Sequence, residues 1–250
     1  NQLSKNMGLK RRLKSLLEPE IRELWKRRLR AGWAIKARGF FNPHPATLKI
    51  GPKSVGKNSP VFVIAEIGVN HNGKIDWAKK LIDQAAEAGA DAVKFQKREL
   101  KASYQDRAVD DPNSHEQSFQ YLIPILKEYE LGEKEYLELK TYAEKKGLIF
   151  FASAFDEPSV DFLEKTINPL LYKVASADLV NLPLLERLVK TKKPLILSTG
   201  MSTLDEIDEA SAFLHKARAN FALLHCQSTY PASLDNLNLA VMQKLKERYG

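Results

Sequence analysis

The sequence predicts an α/β fold: a (β/α)8 TIM-type barrel with about six of its eight β/α units present, behind a basic helical N-terminal extension. Three observations predict it. From Val61 onward, short β-rich apolar runs alternate with amphipathic segments, the signature of a parallel sheet crossed by helices. The runs do not alternate apolar with polar, as expected of strands buried on both faces. Polar residues gather at the C-terminal end of nearly every run. A closed barrel brings all those ends to one mouth, whereas an open sheet gathers its ligand site at one switch point.

The apolar runs are Val61–Ala65, Ala92–Phe95, Leu148–Ala152, Leu170–Val174, Leu195–Leu197 and Phe221–Leu224. Helices are expected between them. One runs from Trp77 to Ala88 and stops at Gly89; another runs from Lys134 to Lys146 and stops at Gly147. Asp156 with Pro158 and Asn181 with Pro183 read as helix starts, and Thr203 with Glu206 as a capping box. Pro43, Pro45, Gly51, Pro52 and Gly56 punctuate a linker and short hairpin over 41–59. The domain reading is a basic extension and linker over 1–45 and a partial barrel over 46–250. Six runs leave a barrel two strands short, so the chain, which stops at Gly250 just after a helical pattern, is expected to be C-terminally truncated.

Charge is unevenly spread. Residues 1–40 carry twelve Lys and Arg against three acidic residues, while the remaining residues carry 27 against 28. The net +8 is therefore a property of the arm, and a basic surface for nucleic acid is not expected on the body. In the arm, Leu9, Leu13, Leu16 and Leu17, then Ile21, Leu24, Trp25 and Leu29, recur at helical spacing. No stretch approaches the ~20 apolar residues of a membrane-spanning helix. The single cysteine, Cys226, excludes an internal disulfide and fits a reducing, cytoplasmic setting. His44, His115 and His215 show no metal-ligand spacing.

The strand ends carry the chemistry. Lys94 lies between Val93 and Phe95, where a cation is costly unless it meets an anion. Ser153, Ser176 and Ser198 can donate to phosphate or carboxylate oxygens, and Ser198-Thr199-Gly200 offers backbone N–H groups for close approach. Together they point to a phosphorylated or carboxylated small substrate. Glu66, after an apolar strand, is either an acid–base group or the ion-pair partner of Lys94. His71 reads first as a structural hydrogen-bonder, and His225 either faces the barrel interior or packs.

Five segments resemble, in order and spacing, the sialic acid synthase (N-acetylneuraminate or nonulosonate synthase) family. They are Ala65–Gly73, Ala90–Gln96, Tyr172–Ser176, Leu197–Met201 and Leu224–Pro231. The resemblance implies condensation of phosphoenolpyruvate with an N-acetylmannosamine-type sugar, giving a nonulosonic acid and phosphate. It implies that Lys94, Ser153, Ser176, Ser198 and Ser228 hold phosphoenolpyruvate, with Glu66 beside it. Gln96 and Tyr230 would contact the open-chain sugar, and Asn70, His71 and Asp178 join the substrate-binding set. Glu66, Lys94 and Tyr230 are the catalytic candidates. A divalent cation, Mn2+ or Mg2+, is implied to polarise the sugar aldehyde. Its histidine ligands in the family lie on the seventh and eighth strands, which would follow Gly250, so no metal ligand is expected in this chain.

This chain has Ser153-Ala154 where many family members have Thr-Pro, Ser228 where an Asn is frequent, and Asp178 where a Glu is common. The family's small C-terminal domain is also expected to lie past Gly250, so residues 1–250 alone are expected to be inactive. A homodimer is implied for the full-length protein. Two other readings stand beside this one. One is a phosphoenolpyruvate–aldose condensing enzyme of the octulosonate or heptulosonate type. The other is a non-catalytic scaffold whose basic arm binds a partner or an anionic surface.

Overall fold

The structure, a computed structural model, describes residues 47–111, 113 and 117–249. The basic arm expected over 1–45 lies outside the described residues, and so does Gly250, where the partial barrel is expected to stop. The described chain opens with an antiparallel hairpin, β1 (Thr47–Ile50) and β2 (Lys53–Gly56), within the segment read as linker and hairpin. Next come β3 (Ile64–Gly68), α1 (Ile75–Glu87) and β4 (Ala92–Lys97). An excursion of three helices follows: α2 (Leu100–Ser103), α3 (Asp106–Asp110) and α4 (Gln117–Tyr129). The alternation then resumes through α5 (Glu133–Lys145), β5 (Ile149–Ala154), α6 (Glu157–Thr166), β6 (Tyr172–Val174) and α7 (Leu182–Lys190). It closes with β7 (Leu195–Ser198), α8 (Leu204–Lys216), β8 (Phe221–Leu224) and α9 (Ala240–Tyr249).

Strands β3 to β8 are parallel and hydrogen-bonded in sequence order. Among the described residues β3 and β8 each pair on one side only, so the sheet is an open arc. The expected helix starts hold. Asp156 accepts from the Ser159 N–H at 2.8 Å, Asn181 from the Leu184 N–H at 3.3 Å, and Thr203 with Glu206 forms a complete capping box. No helix among the described residues is long and apolar enough to cross a membrane.

The two faces of the sheet are packed differently, and this difference positions the site. Alternate residues of each strand point to opposite faces. One set, including Val93, Phe95, Phe150 and Leu197, packs with Ile82, Leu139, Leu163 and Leu188 of the helices. The other set faces inward. Its first layer joins Ala92, Phe151, Leu171 and Ile196 to Ile50 of the hairpin, with Leu48, Val55 and Ile64 against them. The hairpin therefore plugs the end where the strands begin. A two-stranded hairpin is marginal by itself; burial of Ile50, fully enclosed, contributes about 1.5–3 kcal/mol to holding it there.

The first strand begins later than its apolar run. Val61–Ala65 is expected to form it, but β3 starts at Ile64 and Val61 is 84% exposed. The cause is Asp91. Its carboxylate takes the Val63 N–H at 2.8 Å and the Lys53 ammonium at 2.8 Å, while the Asp91 and Ala92 N–H groups donate to the Val63 carbonyl, so Val63 is tied to the turn that opens β4. Glu66 consequently lies inside the strand, paired in register with Lys94.

Candidate functional site

One step above the apolar plug, the inward positions turn polar. The same face carries Glu66 on β3, Lys94 on β4, Ser153 on β5, Lys173 on β6 and Ser198 on β7. Register supports this: Glu66 stands opposite Lys94, and Ser153 opposite Lys173. Lys94 is buried; its ammonium donates to Ser153 Oγ at 3.2 Å and pairs with Glu66 Oε2 at 2.7 Å. The ion-pair reading of Glu66 is thus the one observed, although its side chain stays 57% exposed to the open interior.

Lys173 was not singled out from the sequence, and it is the second cation of the layer. It is buried and donates to the Val174 carbonyl at 2.8 Å. Burial, followed by the charge of Lys94, lowers its ammonium to about 8. The signal was available. Lys173 sits between Tyr172 and Val174 in a doubly buried strand, the same context that drew attention to Lys94. Each ammonium has three N–H donors. Lys94 uses two and Lys173 one on described residues, so three remain for a ligand. Two lysines against one carboxylate also leave the layer net positive. It is built to accept an anion.

The serines split. Ser153 and Ser198 are in the layer, whereas Ser176 braces its rim. Ser198 Oγ lies 3.2 Å from Cys226 Sγ, and Ser176 Oγ accepts from the Gly200 N–H at 3.2 Å. The expectation that Thr199 and Gly200 offer backbone N–H groups to an anion is corrected here. The Thr199 N–H donates to the Leu224 carbonyl at 3.1 Å, and that of Gly200 to Ser176. Gly200 matters for another reason: a Cβ there would meet the Cys226 carbonyl oxygen at 2.9 Å and its Cβ at 3.2 Å. Gly200→Ala is expected to push the ends of β7 and β8 apart and cost about 1–3 kcal/mol of stability, read from the denaturant midpoint. An unchanged midpoint would mean that the two strand ends separate freely.

The remaining candidates lie around this layer. Gln96, two residues beyond Lys94, lines a small cleft with Val69 and Glu130, and its carbonyl accepts from Tyr136 at 2.6 Å. Asp178 sits in a short 3-10 turn at Ser176–Asp178; its Oδ2 is buried without a hydrogen-bond partner, and burial raises its carboxyl. His71 is not brought to the lysines. It is buried, its Nδ1 accepts from the Gly73 N–H at 3.1 Å, and its ring stacks on Phe95, which points to the helix side. Burial lowers its pKa, so the ring is neutral at pH 7. His225 binds the Leu237 carbonyl at 2.7 Å. Asn70 is exposed in the turn after β3, and Ser228 and Tyr230 are exposed past the edge strand β8, Tyr230 at 96%. The metal ligands expected beyond Gly250 fall outside the described residues, which hold no group of three His, Cys, Asp or Glu able to bind a metal ion.

The model of the NeuB family matches residues 81–250. The chain is 36% identical over 207 residues to human N-acetylneuraminate-9-phosphate synthase, covering 82% of this chain and 57% of that protein. It is 41% identical over 200 residues to N,N'-diacetyllegionaminic acid synthase of Campylobacter jejuni, covering 75% of this chain and 58% of that protein. The chain thus spans less than two thirds of the length of either relative. Among solved structures it is similar to N-acetylneuraminic acid synthetase from Leptospira borgpetersenii, with a TM-score of 0.72 and 34% identity over 84% of this chain and 69% of that one. The sequence match runs from α1 through Gly250 and carries the polar layer from Lys94 onward, and on it the chain belongs to the NeuB family.

Proposed function

We propose that this chain supplies the phosphoenolpyruvate site of an enzyme that condenses phosphoenolpyruvate with an N-acetylmannosamine-type sugar to give a nonulosonic acid and phosphate. The six-stranded arc is then part of a (β/α)8 barrel. One observation carries the reading: Lys94 and Lys173 are both buried in one inward layer, with three ammonium donors to spare. Charge-assisted bonds of this kind are the strong ones, and a small multiply charged anion uses them best.

The reaction forms a bond between C3 of phosphoenolpyruvate and the aldehyde carbon of the open-chain sugar. The aldehyde oxygen takes a proton and becomes a hydroxyl. Water adds at C2, the C2–O bond breaks, and phosphate leaves with the bridging oxygen. Lys94 and Lys173 hold the anion and offset its charge as phosphate departs. Glu66, open to the interior and 2.7 Å from Lys94, holds that ammonium in place and stands ready to orient the water. Gln96 faces the acceptor from further along β4, with Asn70, Ser228 and Tyr230 as further acceptor contacts at the mouth. A divalent cation would polarise the aldehyde as a Lewis acid. The described residues offer it no ligand set.

The test is phosphoenolpyruvate labelled with oxygen-18 at the bridging position, supplied with the sugar. The label is expected in the released phosphate. Label left in the keto acid contradicts the proposal, and so does phosphate released at full rate without sugar. A pH profile adds a second check. Lys173 loses its proton near pH 8 in the folded protein, but near 10.5 when unburied. Anion binding needs the charged form, so KM for phosphoenolpyruvate is expected to rise from about pH 8 upward. The same displacement makes the anion-free fold gain stability across that window, because there the unfolded chain binds more protons. A KM flat to about pH 9.5 would remove Lys173 from the binding site.

A further inference from the structure

The near-neutral charge of the body is unevenly spread in space. At the end where the strands begin, the hairpin segment 47–59 exposes Lys49, Lys53 and Lys57 and holds no acidic residue. The turns from helix into strand at this end, 88–91, 146–148, 167–171, 191–194 and 217–220, add Lys146, Lys192, Lys193 and Arg218 against Asp91. Lys53 pairs with Asp91, Lys146 with Asp83 and Lys193 with Glu164. Lys49, Lys57, Lys192 and Arg218 are exposed and make no ion pair among the described residues. Lys192 and Arg218 also stand against backbone preference, at φ +60° and +55°; the matching turns before β4 and β5 have Gly89 and Gly147 there. The helix dipoles do not call for these two cations, because Lys190 and Lys216 already occupy the last turns of α7 and α8. A long cation where glycine fits more easily points to a use for the charge. The same end exposes aliphatic side chains: Val61, Val63 and, beside Gly51 of the hairpin, Leu170. The basic arm leads into this end at Thr47. Its residues 1–40, outside the described residues, carry twelve Lys and Arg against three acids, with Leu13, Leu17, Leu24 and Trp25 among the apolar residues at helical spacing.

We propose that the end where the strands begin, with the arm that enters there, is a docking face for an anionic lipid surface. Three arguments carry it. The first is charge. Each Lys or Arg held near an anionic bilayer strengthens partition by about fivefold, and this face presents four uncompensated cations before the arm is counted. The second is the mixture. Val61, Val63 and Leu170 sit among the cations, and the arm mixes leucines and a tryptophan with Lys and Arg. That combination suits a headgroup boundary, where apolar groups enter and long basic stems reach back to the phosphates. A nucleic-acid backbone takes the cations but has no use for exposed aliphatics. The third is topology. The hairpin closes this end around Ile50, and the layer of Lys94 and Ser153 lies beyond the plug toward the opposite end. A surface resting here therefore blocks no entrance to the site. The inference holds whatever reaction that site carries out.

The test is co-sedimentation of the full chain with vesicles of phosphatidylcholine alone or with ~30 mol% phosphatidylglycerol, beside titration of a short DNA duplex. The wild type is expected to bind the phosphatidylglycerol vesicles about tenfold or more tightly than the neutral ones. Raising NaCl from ~0.1 M to ~0.5 M is expected to release most of it. A variant joining Lys49→Gln, Lys57→Gln, Lys192→Gly and Arg218→Gly is expected to bind about 10²-fold more weakly. Glycine suits the left-handed backbone at 192 and 218, so this variant is expected to melt no lower than the wild type. Equal binding of the wild type to neutral and anionic vesicles overturns the inference, without recourse to any variant. So does tighter binding to the DNA duplex than to the vesicles, which would make the partner a nucleic acid. Undiminished vesicle binding by the fourfold variant overturns it too, because the described face then contributes nothing.

Discussion

Replacing Lys94 with methionine is expected to lower kcat/KM for phosphoenolpyruvate by about 10²–10³-fold, the loss typical of removing one preorganised donor from developing charge. Methionine fills similar space, so the stem still packs. What goes is the ammonium that touches Ser153 at 3.2 Å and Glu66 at 2.7 Å. Glu66, 57% exposed, can rehydrate, so the fold should survive and the melting temperature should move little. The check is steady-state kinetics beside a thermal melt. A variant that melts normally and keeps near-full kcat/KM would mean that the anion binds elsewhere.

The largest expected stability effect lies at Asp156. Its carboxylate is buried and accepts three hydrogen bonds: from the Ser159 N–H at 2.8 Å, the Glu99 N–H at 2.8 Å and Ser103 Oγ at 2.7 Å. The first caps α6, and the other two fasten the start of the α2–α4 excursion to the end of β5. Asp156→Ala leaves the buried Ser159 N–H, the Glu99 N–H and the Ser103 hydroxyl without this partner. The expected cost is about 3–5 kcal/mol, given about 1.5–3 kcal/mol for each bond to a charged group, partly recovered by water. Asp156→Asn keeps the acceptor oxygen and should lose about half as much. Urea unfolding of both variants decides it; equal midpoints for Ala and wild type would mean the excursion is held by other contacts.

How far the fold could be read depends on which forces act locally. Caps are local, and Asp156, Asn181 and the Thr203–Glu206 box all stand where the sequence placed them. Five of the six apolar runs coincide with strands to within one or two residues, because doubly buried strands announce themselves by composition. The start of β3 is displaced by a long-range contact, the Asp91 carboxylate on Val63, which no local pattern carries. The excursion over 98–129 went unread because α2 and α3 are short and α4 contains Pro124, normally a helix breaker. It is seated by the β3–α1 loop: at Gly73, with φ +69°, a Cβ would lie 2.6 Å from the Glu128 carbonyl oxygen.

The site was legible where side chains share one strand position and obscure where loops turn. Glu66, Lys94 and Ser153 were named and do meet. The neighbours of Lys173 read as plain strand, although a lysine in that setting is as costly as Lys94. The sequence offers the N–H groups of Thr199 and Gly200 to an anion, yet strand-end packing uses both. His71 turns away because its ring finds Phe95 and the Gly73 N–H nearer than the layer.

The most direct measurement of the central claim, that Lys94 and Lys173 form one anion site, is calorimetric titration of the protein with phosphoenolpyruvate. It should be run near pH 8.5 in buffers of different ionisation enthalpy. Lys173 is partly deprotonated there, so binding is expected to take up a fraction of a proton from solution. Lys173→Met should bind more weakly and take up none, and Lys94→Met should bind weakly or not at all. Wild-type affinity in both variants, or binding with no proton uptake, would contradict the claim.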